Sequence, residues 1–174
     1  MQLGNPPIGS TQNAVQANNG IVWTDSVRVY VSSSAGRIYD GQLGQNYSKA
    51  VKGWGDSYVG LWLCTSGAYS GVRCDIRVSA VDVLYSDEAG IIYQNSVLAQ
   101  HVYGQSAAGE GDSGGPVFSL VNNNADAWAY GIISAGDTAN APAPCVGQIY
   151  PPRKCSSKLF YSTIRSQLGV QGLY

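Results

Sequence analysis

Histidine is almost missing from this chain of 174 residues, which has one, His101. Charge is scarce too. Lys, Arg, Asp and Glu together make up 12% of the residues, about half of the ~25% usual in soluble chains. The net charge is −1, and Lys and Arg are scattered rather than gathered into a stripe, which argues against nucleic acid or an anionic membrane surface as a partner. No apolar run approaches the ~18 residues needed to span a bilayer. The opening MQLGNPPIGST lacks the basic and apolar regions of a secretory signal. There is no Cys-x-x-Cys pair and no histidine cluster, so zinc spacing is absent and neither a metal nor another cofactor is expected.

What is present suits a β-protein. Hydrophobic residues reach 44%, ample for a core, and the polar remainder is rich in Gly (22), Tyr (12), Ser, Asn and Thr. Such a composition fits many short strands joined by tight turns, in one domain or two small packed barrels. The four cysteines fall into two pairs at short spacing, Cys64/Cys74 and Cys145/Cys155. In a polar, Gly-rich chain that pattern favours disulfides, and with them an oxidising, secreted or extracytoplasmic setting. Closing a loop of about eleven residues is worth roughly 3 kcal/mol in the chain-entropy account.

Residues 1–20 read as irregular chain. Val27 to Val31 alternates with period two, as a half-buried strand does, and residues 34–46 look like a connector. Further strands are expected at Ser57 to Cys64, Ile76 to Leu84, Gly90 to Tyr93, Val97 to Tyr103, Pro116 to Val121 and Ala127 to Ile133. Asn122 to Asp126 is a hairpin tip, since Asn and Asp tolerate positive φ. Phe160, Ile164 and Leu168 fall on one helical stripe, with Ser156 or Ser157 as the cap and Gly169 at the left-handed end. The expected fold class is therefore all-β, antiparallel, with a C-terminal α-helix. Asn46-Tyr47-Ser48 fits the N-glycosylation triplet, a pattern common by chance.

The stretch with most chemical content is GEGDSGGPV at residues 109–117. Gly111 and Ser113 can aim two backbone amides at one point, an oxyanion hole for a tetrahedral intermediate. The glycines let substrate approach the backbone, and Asp112 is placed to lock the loop by pairing inward. The plainer alternative is a Gly-rich turn with Ser113 as a spacer.

GDSGGPV resembles the active-site loop of the chymotrypsin-fold serine proteases, and other segments resemble their secreted bacterial branch, which includes α-lytic protease and the streptogrisins. Cys64-Thr65-Ser66-Gly67 through Gly71-Val72-Arg73-Cys74 is similar to that branch's disulfide hairpin. Tyr130 to Gly136 is similar to the strand that binds substrate backbone, and Leu159 to Leu168 to the closing helix. The resemblance runs over roughly residues 21–170. It implies a double-barrel fold, with Ser113 the nucleophile and Asp25, in Val22-Trp23-Thr24-Asp25-Ser26-Val27, the aspartate that orients the base. It also implies a pocket with Ala107 and Ala108 at its floor, Ser134-Ala135-Gly136 as its wall and Glu110 at its mouth. With no acid at the floor, cleavage after apolar side chains is expected rather than after Lys or Arg, and Glu110 disfavours acidic substrates.

Three features depart from that pattern. Thr65 stands where the branch usually has the arginine that pairs with the loop aspartate, which leaves Arg73 or Arg37 as substitutes for Asp112. No cysteine closely precedes the serine loop, and Cys145 to Cys155 looks like a clamp on a Pro-rich insertion, Ala141 to Arg153. The histidine expected ahead of Asp25 is not in the chain. Residues 1–33 thus read as a remnant of a first barrel, 34–46 as an inter-barrel connector, and 47–174 as a complete second barrel. The leading expectation is a serine endopeptidase-like chain that acts on peptide or protein substrates. Its histidine would be supplied by a missing segment or a complementing partner, so the chain alone would be inactive. The alternatives are a pseudoprotease serving as a binding or assembly module, and His101 acting as the base, since Asp-His-Ser order is known on another fold.

Overall fold

The computed structural model describes residues 10–12 and 21–170; most of the stretch 1–20, expected to be irregular, lies outside them. In chain order the strands are β1 (Ser10–Gln12), β2 (Ile21–Val22), β3 (Arg28–Tyr30), β4 (Arg37–Tyr39), β5 (Ser48–Trp54), β6 (Trp62–Gly67) and β7 (Gly71–Ser86). They continue with β8 (Ile92–His101), β9 (Ala108–Gly109), β10 (Pro116–Val121), β11 (Asp126–Gly136), β12 (Cys155–Ser156) and β13 (Lys158–Thr163), followed by helix α1 (Ile164–Val170).

Six of these strands close a barrel. They run in the order β10-β6-β7-β8-β13-β11, and β10 pairs back onto β11. Every pair in the ring is antiparallel. Closure removes the exposed sheet edge that a six-stranded open sheet would carry. On the outside of the ring, β5 lies parallel to β11 with β4 beside it, and β2 lies parallel to β8. The fold is all-β, with a single short helix among the described residues.

Period-two alternation fills the interior. Ile76 and Val78 of β7, Val97 and Ala99 of β8, and Leu159 and Tyr161 of β13 all point inward and are buried. The Tyr161 hydroxyl meets Ser57 Oγ at 2.7 Å, so the buried ring keeps a partner for its polar end. Val117 and Phe118 are adjacent yet both fully buried. The register shifts between them, so Val117 packs in the barrel core while Phe118 joins a second cluster with Ile38, Cys64 and Ala127. A bulge of this kind sends consecutive side chains to two cores. Both disulfides are closed, Cys64–Cys74 and Cys145–Cys155.

Several expectations need correction. The residues read as the first turns of a helix form strand β13, and Phe160 sits on that strand, stacked on Tyr85 at 4.4 Å. The helix has seven residues, and its cap is Thr163, whose Oγ1 accepts the Ser166 amide at 3.1 Å. Ser156 and Ser157 instead bond the Ala141 carbonyl, and Gly169 lies inside the helix. The competing signal was the alternation of Leu159 and Tyr161, which tertiary pairing with β8 and β11 favours. Strand β4 falls inside the stretch read as a connector, the segments at residues 90–93 and 97–103 overlap the single strand β8 with 90, 91, 102 and 103 outside it, and residues 57–61 before Trp62 are irregular chain and turn. The tip at Asn122, Asn123 and Asn124 has three positive φ angles, as its residue types suggest.

Candidate active site

The loop between β9 and β10 carries Ser113 on a short series of turns. The Asp112 amide bonds Gly109 O, Gly115 bonds Asp112 O, and Gly114 bonds Ile133 O of β11. Gly111 has φ of +89°, a conformation that only glycine adopts readily. The Asp112 side chain is buried and turns away from solvent. Its Oδ1 accepts the amides of Tyr69 and Ser70 at 3.0 and 2.9 Å, and its Oδ2 accepts Gly109 N at 2.8 Å and Ser70 Oγ at 2.5 Å. Gly67 lies so close that a Cβ there would stand 2.1 Å from Asp112 Oδ1. A charge taken out of water needs this many donors and a cation. The cation is Arg153, whose Nη2 lies 3.2 Å from Asp112 Oδ2, with both side chains 1% exposed or less.

With Asp112 held inward, Ser113 faces outward and is exposed. Its Oγ donates to Ser134 O at 3.4 Å. The side chain of the same Ser134 donates to Asp25 Oδ2 at 2.5 Å, and the Asp25 amide donates to Ser162 Oγ at 3.0 Å. One residue of β11 thus bonds both the serine hydroxyl and the carboxylate. Tyr85 contacts Ser134 Oγ as well, its ring stacked against Tyr93 and Phe160. Since Ser134 donates to Asp25, Tyr85 donates to Ser134. Burial pushes the Tyr85 phenol well above its ordinary range, which keeps that proton in place. Among the described residues, neither the Gly111 nor the Ser113 amide donates a hydrogen bond within the chain. Both are therefore free to receive an anion.

A cavity of about 230 Å³ opens beside Ser113, lined by Ala108, Glu110, Ile133, Ala135, Gly136 and Thr138, among others. A wider groove of about 770 Å³ flanks the serine on its other side, between Gly67 and Pro116 on one wall and Arg37, Tyr39 and Leu43 on the other.

The sequence profile of the family described as Trypsin matches residues 18–151. This chain belongs to the trypsin family. Comparison with curated protein sequences gives no significant match. Among solved structures, similarity extends to a glutamic acid specific serine protease described as using a novel histidine triad in substrate binding, at 22% identity and a TM-score of 0.57, over 84% of this chain and 63% of that one. A Cellulomonas bogoriensis chymotrypsin is similar at 18% identity and a TM-score of 0.56, over 84% and 64% of the two chains. Thermobifida fusca protease A is similar at 19% and 0.54, over 84% and 63%. At these identities the likeness is one of fold. The trypsin-family chain described here spans a little under two thirds of the length of each.

Within this family fold, the residues expected from sequence do not all fall where they were expected. Ser113, Asp25 and Ser134 come together, and Ala108, Glu110, Ala135 and Gly136 line the cavity beside Ser113. Ala107 is fully buried in the barrel core and is not among the residues that line the cavity. Ser134 turns toward Asp25 rather than forming the pocket wall. Neither arginine proposed for Asp112 reaches it. Arg73 bonds Ser106 O and Gln105 Oε1, and Arg37 bonds Ser48. Thr65 fills its position by donating to Ala107 O at 2.8 Å.

His101 is 3% exposed and its Nδ1 accepts the Tyr103 amide at 3.2 Å, across the turn that follows β8. Burial and the nearby Arg73 lower its pKa from the ordinary 6.5, with Asp75 opposing them. The sequence reading missed Arg153, Tyr85 and Thr138. Arg153 and Tyr85 act through contacts distant along the chain, Thr138 lines the cavity, and only the position of Arg153 two residues before Cys155 hinted at a fixed place. Among the described residues, no cluster of His, Cys, Asp or Glu could hold a metal, and no helix is long and apolar enough to cross a membrane.

Proposed function

We propose that this chain carries the nucleophile, the anion-binding amides and the substrate pocket of a serine endopeptidase. Ser113 attacks the scissile carbonyl, and the amides of Gly111 and Ser113 receive the developing oxyanion. Asp25, held by Ser134, orients an imidazole and stabilises its charged form. The observation that carries this reading is the double engagement of Ser134, whose carbonyl meets Ser113 and whose hydroxyl meets Asp25. The imidazole comes from outside these 174 residues, on a further segment of the protein or on a partner chain, since His101 is occupied elsewhere. Residues 1–33 and 47–174 then belong to the two facing barrels and 34–46 joins them. Two disulfides support an oxidising, secreted or extracytoplasmic setting.

The cavity walls Ala108, Ile133 and Ala135 support cleavage after apolar side chains, with Glu110 at the rim disfavouring acidic ones. The engagement of His101 also fits a second reading, a chain that binds peptides without cutting them. A fluorophosphonate probe separates the two. Labelling of Ser113 is expected once a histidine-bearing segment is added, lost in Ser113→Ala and unaffected by His101→Ala. No labelling under any complementation would leave the binding reading. A peptide panel cleaved after Arg or Lys would overturn the apolar preference.

A further inference from the structure

We propose that the disulfide-closed segment 145–155 is a latch on the serine loop, with Arg153 the positioning residue that transmits its hold to Ser113. The part of this that concerns reactivity rests on Ser113 being the nucleophile; the hold itself does not.

The segment is zipped to the loop along its length. Cys155 and Ser156 of β12 pair with Gly109 and Ala108 of β9. Beyond that pair, Glu110 N bonds Lys154 O at 2.9 Å, Lys154 N bonds Glu110 Oε2 at 2.9 Å, and Ala107 N bonds Ser156 O at 2.8 Å. Arg153, next in line, turns its side chain beneath the loop. Its Nε donates to Glu110 O at 2.8 Å, and its Nη1 to Val146 O and Gln148 O at 2.9 and 2.6 Å. Its Nη2 reaches Ser70 Oγ at 2.9 Å as well as Asp112. One guanidinium therefore ties the serine loop, the β6–β7 turn and the disulfide segment to a single point. A planar fork with five N–H groups can do this, and an ammonium on a flexible stem cannot.

The disulfide holds the other end of that connection. Cys155 lies two residues beyond Arg153, and Val146 and Gln148, which accept from Arg153, follow Cys145 directly. The segment also grips Tyr69, whose carbonyl accepts Gln148 N at 2.8 Å and whose amide donates to Asp112. The Tyr69 ring lies under the Arg153 guanidinium at 5.6 Å and edge-on to Tyr150 at 5.9 Å. Gly111 passes over the same ring, so closely that a Cβ on it would come within 2.3 Å. Opening the disulfide frees the carbonyls that fix Arg153, and with them the contacts that keep Asp112 inward and Ser113 outward.

Backbone amide exchange on the full chain tests this. In Cys145→Ser/Cys155→Ser and in Arg153→Met, exchange at the amides of Tyr69, Ser70, Gly109 and Gly115 should be accelerated at least about tenfold more than exchange at Val78 in the barrel, whose amide bonds Leu61 O. Arg153→Lys, which keeps the charge but not the fork, should recover part of the protection. Unchanged loop protection in the disulfide-free variant would overturn the latch, and so would an equal acceleration through the whole barrel. If Arg153→Met does not fold, the disulfide-free variant and Arg153→Lys decide. With a histidine-bearing segment added, fluorophosphonate labelling of Ser113 should slow in step with the loss of protection. Labelling at the parent rate despite an exposed loop would overturn the link to reactivity. A parent that never labels would refute the reading of Ser113 and leave the latch to stand or fall on exchange alone.

Discussion

The serine loop and the segment around Asp25 meet at Ser134, yet they are held by very different amounts of structure. Asp112, beside the serine, takes four hydrogen bonds from neighbouring amides and a hydroxyl and pairs with a buried arginine. Asp25 has one bond to its carboxylate and one from its amide. Around it Trp23, Val27, Val29 and Tyr30 are exposed, and Ser26 Oγ is buried without a partner among the described residues. Exposed apolar side chains in such a group mark a surface made to be covered, and an unpaired buried hydroxyl asks for a donor or acceptor. The comparison teaches that the loop carrying Ser113 is fixed by buried polar contacts within its own barrel, whereas the segment carrying Asp25 is held by few contacts among the described residues.

Mutation can break that comparison. In the complemented enzyme, Asp25→Asn should lower kcat by about 10⁴-fold while leaving stability of the chain within about 0.5 kcal/mol, read by peptide hydrolysis and denaturant unfolding. Equal losses in both would mean that Asp25 is structural. Arg153→Met should have the opposite profile, costing roughly 3–5 kcal/mol because it leaves the Asp112 charge buried and unpaired. A midpoint shift in urea with unchanged slope is the measurement. Thr163→Ala removes the cap of the short helix α1, whose Ser166 touches Thr24 beside Asp25 at 3.3 Å, and should cost about 1 kcal/mol, read as a smaller midpoint shift in urea.

The smallest effect concerns pH. The folded state holds His101 below its ordinary pKa of 6.5, so at mildly acidic pH the unfolded chain binds the proton more readily. Stability should therefore be full above pH 6.5 and fall as pH drops below it. Unfolding of His101→Gln, compared with the parent at pH 5 and pH 8, should show that slope flattened. An unchanged slope would place the proton uptake elsewhere.

Much of this was legible along the chain, for reasons local to it. GDSGGPV announces a tight loop through its glycines, and the paired cysteines announce two short disulfide loops. The Asn-rich tip and the alternation in β7 and β8 need only neighbours two residues away. Legibility failed where a residue's role lay in a distant contact. Arg153 is drawn to Asp112 across 41 residues, and no pattern near either one specifies the other. Ser134 was read from its strand as a pocket wall, but its rotamer is set by Asp25, 109 residues earlier. Ala107 and Ala108 are the same residue type side by side and both are buried in one core cluster, yet only Ala108 also lines the cavity beside Ser113. The C-terminal stripe misled because Phe160, Ile164 and Leu168 straddle a strand and a helix.

By itself, then, the sequence determined the class of fold, the family, the covalent cross-links and the backbone freedom of the serine loop, since each depends on residue type and short-range geometry. Only the tertiary structure decided which cation neutralises Asp112, which serine joins Asp25 to Ser113, and which alanine reaches the cavity beside Ser113. Those choices are made by electrostatics and packing between segments that closure of the barrel brings together.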